Sequence, residues 1–164
     1  MKALTLTQPW ATLVAIGAKK IETRSWNTTY RGQLAIHAAK GFPQEAQHLC
    51  FQEPFRSYLG AYVKLNETYF GSHSFPIGCI IATCNLVEVK KIIGTVVVAS
   101  EHEIAFGNYS IGRYMWILEN IVALPEPVPA KGALSLWECG LTMPATDPPS
   151  ALVRQGELFK SAGG

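Results

Sequence analysis

The sequence predicts an α+β domain: a curved, mostly antiparallel sheet flanked by short helices. Segments of strand character recur without the strict strand–helix alternation that a parallel sheet requires, and only two clear helical patterns interrupt them. The length of 164 residues and the 48% hydrophobic content suit a single core. Closing such a sheet into a small barrel would remove its exposed edges.

KALTLT, residues 2–7, alternates as a strand should. Gln8-Pro9 then opens a short helix over residues 9–16, with proline tolerated in the first turn and Gly17 suited to a left-handed cap. In AKKIETRSW the alternation puts Lys20, Glu22, Arg24 and Trp26 on one strand face and Ile21, Thr23 and Ser25 on the other. NTTYRG forms a turn and QLAIHAAK another strand. FPQEAQHLCFQEPFRSYL suits one helix broken or ended by Pro54. CIIATCNLVEV, residues 79–89, is an apolar run of buried-strand character, and KKIIGTVVVAS reads as strand or connection. EHEIAFGNYSIG holds too much Gly, Asn and Ser for one regular element and predicts a loop with a helical turn. RYMWILENIVAL returns to strand character. PEPVPAKGALSLWECG is extended, with Pro127 and Pro129 confined to an edge or turn. Residues 1–142 are therefore expected to form the domain and 143–164 a weakly structured tail with at most a short helix.

Composition excludes several chemistries. The only aspartate is Asp147, so Asp-built calcium loops and two-metal centres lack their parts. His37, His48, His73 and His102 show no ligand spacing, and no HExxH, GxSxG, Walker or GxGxxG motif occurs. No metal or other cofactor is expected. Cys50, Cys79, Cys84 and Cys139 form no CxxC pair, and the odd spacing of Cys79 and Cys84 puts them on opposite faces of a regular strand, which reads as four reduced thiols in a cytoplasmic protein. Residues 3–18 imitate the apolar part of a secretory signal, but Thr5, Thr7, Gln8 and Pro9 interrupt it. No membrane span is expected.

The net charge of +2 is too small to grip a long duplex by phosphate neutralisation. Positive charge is nonetheless concentrated: Lys19, Lys20, Arg24, Arg31 and Lys40 fall within residues 19–40 against one acid, Glu22. Trp10, Trp26 and Tyr30 are interleaved with these charges, a combination that suits stacked bases and nearby phosphates. A solvated strand face over core tryptophans is the competing reading. Trp116 and Trp137 are assigned to the core, and His37 to structural packing.

QPWATLVAIGAKKIETRSW followed by GQLAIHAAK resembles the opening signature of the ASCH (activating-signal-cointegrator homology) family, and EIAFGNYSIGRYMWIL and PVPAKGALSLW are similar to its later segments. The resemblance runs from Lys2 to about Leu141. It implies a β-barrel related to the PUA domain and an RNA-related role, with a cleft at the GxKxxExR segment. The family's cleft positions fall on Lys19, Glu22 and Arg24, with Trp10 and Trp26 flanking, Lys20 and Thr23 adjacent, and Glu103 in the acid position before the FG turn. Some bacterial members resemble amidohydrolases that deacetylate 4-acetylcytidine using a lysine, a threonine three residues later and a downstream glutamate; here the lysine is Lys19 but the threonine position holds Glu22. The resemblance thus implies a metal-independent hydrolase acting on RNA or a modified nucleoside through Lys19, Glu22 and Glu103, or a non-catalytic reader of the same ligands. A Lys19–Glu22 pair would suit Lys19 to hold phosphate, whereas a Glu22–Arg24 pair would free Lys19 for nucleophilic work.

Overall fold

The segment from Trp10 to Ala15 is apolar on almost every side, so its helix is stable only where both faces are covered. In the computed structural model, which describes residues 1–60, 62, 75–96 and 100–142, this is helix α1 (Trp10–Ala15), with Ala11 through Ala15 all buried. Ala11, Val14 and Ala15 face the main core of the sheet, and Leu13 points away into a second cluster with Cys50, Phe55, Leu59, Phe75 and Phe106. Gln8 anchors its start: the side-chain amide donates to the Pro76 carbonyl at 2.8 Å and its oxygen accepts the Thr12 N–H at 3.1 Å. Gly17, at φ 76°, ends it in the left-handed region, and its N–H reaches the Val14 carbonyl.

Around α1 curls a six-stranded sheet: β1 (Lys2–Leu6), β2 (Ile21–Arg24), β3 (Gly32–Ala38), β4 (Cys79–Lys91), β5 (Tyr114–Pro129) and β6 (Leu136–Glu138), in the order β2-β5-β4-β3-β1-β6. Among the described residues only β1 and β3 pair in parallel, and the other neighbours are antiparallel. The curled, half-barrel sheet with short helices is the α+β, PUA-like architecture expected. Its edges β2 and β6 share no ladder, but Arg24 on β2 donates from Nη2 to the Thr5 carbonyl of β1 at 2.7 Å. That carbonyl lies one residue beyond the stretch of β1 that pairs with β6, Lys2–Leu4. A side chain thus bridges the gap where the strands do not close.

Several boundaries differ from expectation. The strand read as residues 18–26 is only Ile21–Arg24, because Lys19 still bonds back to the α1 terminus, its N–H donating to the Leu13 carbonyl at 2.9 Å. The helix after Phe42 is broken as expected before Phe55, into α2 (Gln44–Leu49) and α3 (Phe55–Gly60), with Pro54 immediately before the second, where its missing N–H is harmless. The FGNYSIG loop follows a short helix, α4 (Glu101–Ala105). β5 continues through Pro125, Pro127 and Pro129; since β2 covers only residues 114–117 of it, the remainder has one free edge that tolerates prolines. Residues 3–18, which imitate a signal sequence, form β1 and α1 within the core. The expected tail and the middle of KKIIGTVVVAS lie outside the described residues.

Cys79 and Cys84 pack in the same core cluster rather than on opposite faces, because β4 carries an extra residue between Ile80 and Ala82 opposite the adjacent Ile36 and His37 of β3, which resets the alternation. All four cysteines are free, and burial pushes the Cys50 and Cys84 thiols up to about 12 and raises Cys79 as well. In the folded protein at about pH 8, iodoacetamide should therefore label the half-buried Cys139 first and the other three only after unfolding, as mass spectrometry would show. Early labelling of Cys84 would mean that the sheet opens in the native state. Among the described residues no helix is long and apolar enough to cross a membrane.

Candidate functional site

The gap bridged by Arg24 opens into a cavity of about 420 Å³, within the range that takes a nucleoside. β2 and the residues just after it build one wall, with Glu22, Thr23, Arg24 and Trp26; Trp10, at the start of α1, also lines the cavity; the segment after α4 supplies Gly107, Asn108 and Arg113. Trp10 and Trp26 are each half-buried. Trp10 meets Phe55 edge-on at 6.3 Å, and Trp26 meets the buried Trp116 at 4.6 Å, so both rings are braced against the interior.

Glu22 sits between two cations. Lys19 Nζ approaches Oε2 at 3.4 Å and Arg24 Nε approaches Oε1 at 3.1 Å. The Arg24 Nε–H is not aligned with the carboxylate, so this contact is coulombic rather than a bidentate hydrogen bond. Both pairings left open by the sequence therefore exist together. Lys19 is fully buried, does not line the cavity, and donates from Nζ to the Ile21 carbonyl as well as pairing with Glu22. Its ammonium stands behind the carboxylate and is turned away from any ligand.

Lys20 and Glu103 are likewise placed outside the cavity lining. The Lys20 side chain is exposed while its backbone N–H donates to Oε1 of the buried Glu103, which ties α4 to the start of β2. The Lys20 carbonyl accepts the Leu118 N–H at 2.9 Å. Lys20 is off the face shared by Glu22, Arg24 and Trp26 because the strand begins only at Ile21. Glu103 Oε2 and the Tyr109 hydroxyl are both buried without a hydrogen-bond partner among the described residues. Burial, reinforced by the Glu103 and then the Glu22 charge, pushes the Tyr109 phenol up.

Thr23 lines the cavity, and its hydroxyl accepts the Asn108 N–H at 3.0 Å. Arg113, overlooked in the sequence, donates from Nη2 to the Thr23 carbonyl at 3.0 Å and from Nε to the Asn108 carbonyl at 3.1 Å. These bonds use two of its five N–H donors, and the others remain for a ligand. Its signal was its place in YSIGRYMW, a segment legible only as part of the family pattern. His37 is a packed residue, 2% exposed, bonded through Nε2 to the Ala130 carbonyl at 3.0 Å and set edge-on against Trp137. His102 links α3 and α4, its Nδ1 lying 2.9 Å from the Tyr58 hydroxyl. Trp116 is core, whereas Trp137 is half-buried and donates from its indole to the Thr5 hydroxyl. Among the described residues no group of three His, Cys, Asp or Glu is placed to hold a metal ion.

Residues 4–127 match the ASCH domain family. The chain belongs to that family. This ASCH chain is also 37% identical over 140 residues to human Activating signal cointegrator 1 and 29% identical over 140 residues to the mouse protein of that name. Each alignment takes in 82% of this chain but 22% of the relative, so the ASCH chain spans about a fifth of those proteins. The match includes β1 through most of β5, and hence every residue of the cavity wall named above.

Gly107 is the tight point of that wall. A Cβ here would stand 2.6 Å from Tyr109 Cε2 and 3.2 Å from Thr23 Cγ2. Gly107→Ala should therefore displace the Tyr109 ring and cost about 1–3 kcal/mol, read by urea denaturation. An unchanged midpoint would mean that the turn after α4 yields freely.

Proposed function

We propose that this ASCH domain binds RNA or a single modified nucleoside, the base entering the cavity beside Trp10 and Trp26. The observation that carries this reading is the composition of the wall: two braced indoles, one charge-balanced carboxylate at Glu22, and two half-buried guanidiniums, Arg24 and Arg113. The indoles offer stacking faces, Glu22 accepts from an exocyclic amine or ring N–H, and the spare arginine N–H groups hold a base carbonyl or a phosphate. The lining carries one more positive than negative charge, which favours an anionic ligand at the mouth.

A second reading, hydrolysis of an acylated nucleoside or of RNA, is favoured by the place of Glu22 in the cavity lining with Arg24 and Arg113. Glu22 would serve as base toward water, and Arg24 or Arg113 would stabilise the developing oxyanion. Lys19, held behind Glu22, would act as a positioning residue rather than as the nucleophile, and Glu103 would hold the β2 entry from outside the wall. Neither role needs a metal.

Titration calorimetry with cytidine and 4-acetylcytidine, followed by chromatography of the mixtures, separates the two. Binding without product supports the reader. Deacetylation that persists in Lys19→Met and disappears in Glu22→Gln establishes the hydrolase with Glu22 as its base. Absence of binding to nucleosides and to single-stranded RNA alike would sink both.

A further inference from the structure

We propose that the loop over residues 129–134 roofs a second subsite, which takes the neighbouring nucleotide of a single-stranded RNA whose base occupies the first cavity. This rests on the binding reading above and narrows its ligand from a free nucleoside to a strand.

The second cavity, of about 1000 Å³, lies on the other side of Thr5, which lines both. The backbone and side chain of Thr5 serve different cavities. Its carbonyl accepts Arg24 at the first, while its hydroxyl donates to the Ala133 carbonyl at 3.2 Å and accepts from the Trp137 indole at 3.1 Å under the roof of the second. Thr5 is thus the residue common to both linings, and the proposed strand runs past it from one cavity to the other.

The chemistry of the second cavity suits a nucleotide. Lys40 and Lys131, both exposed, are charged residues of its lining, and no acid is among the lining residues. Two cations with no ion-pair partner among the described residues fit phosphate better than they fit a cationic or neutral partner. The remainder is largely apolar: Leu134 is 93% exposed and stands at the cavity with Ile77, offering a surface that the face of a base would cover. Within this apolar wall, Nδ1 of the buried His37 makes no hydrogen bond among the described residues. Its other nitrogen is committed to Ala130, and a Cβ on Gly132 would stand 2.8 Å from Nδ1, so Gly132 packs over this atom and His37 supports the cavity lining rather than meeting the ligand. A duplex would keep its bases paired and out of both cavities, so the ligand is single-stranded.

The test is calorimetric titration of the full chain, and of the Lys40→Ala, Lys131→Ala double variant, with each of the four ribonucleoside 5′-monophosphates and with a random-sequence single-stranded hexaribonucleotide. The wild type should bind the hexanucleotide at least about tenfold more tightly than the best mononucleotide. The double variant should lose about tenfold in hexanucleotide affinity, keep its mononucleotide affinity, and show a salt-dependence slope smaller by about 1.4, near 0.7 for each lost phosphate contact. Equal affinity for both ligands in the wild type, or a double variant indistinguishable from it, overturns the second subsite while leaving the first-cavity reading intact. Failure of all five ligands to bind overturns both.

Discussion

Glu22→Ala is expected to lower the stability of the protein by about 3–5 kcal/mol, because it strands the Lys19 ammonium in the interior without its counter-charge. For a domain of this size the melting temperature should fall by about 8–15 °C. Lys19→Met provides the contrast. It keeps most of the buried stem, removes the charge, and leaves Glu22 with Arg24, so its cost should stay below about 1.5 kcal/mol. Urea denaturation of the two variants tests the order. If Lys19→Met proves the more damaging, Lys19 does more than balance Glu22, and its contact with the Ile21 carbonyl becomes the interaction to examine. The same pair of variants bears on function: a loss of ligand affinity in Glu22→Gln, with Lys19→Met unaffected, is the pattern expected when the carboxylate meets the ligand and the ammonium stands behind it.

Trp26→Ala should weaken nucleoside or RNA binding by about 5- to 150-fold, corresponding to about 1–3 kcal/mol of base–aromatic stacking. Trp26 also rests against Trp116, so the substitution removes packing as well as a stacking face. Trp26→Phe separates these effects: it retains an aromatic plane and should bind within a few-fold of wild type. Calorimetric titration at fixed salt measures both. Equal affinity of wild type and Trp26→Ala would remove Trp26 from the ligand site and leave it as a brace for Trp116.

Much of the architecture was legible along the chain. Alternation placed β1, segments of strand character placed β3 and the start of β5, a continuous apolar run placed β4, and the QPW entry and Gly17 placed α1, since these signals act locally. The β4 cysteines were misread because bulges cannot be seen in the spacing of a strand; they arise where β4 must bend between β3 and β5. The break before Phe55 was legible because proline acts locally, whereas the continuation of β5 through its prolines depended on where β2 stops covering the strand.

The site divides in the same way. Glu22, Thr23, Arg24, Trp10 and Trp26 were identified from the sequence and meet in one cavity, because they sit within one short helix–turn–strand unit whose geometry is largely local. Arg113 and Asn108 reach the same cavity from far along the chain, and local pattern gave no weight to either. The sequence by itself determined the α+β class, the family pattern and the clustering of cations and indoles around GAKKIETRSW. Tertiary structure decided which of those charges line the cavity: it buried Lys19 behind Glu22 and turned Lys20 outward, because a buried ammonium must find its counter-charge while an exposed one is already satisfied by water.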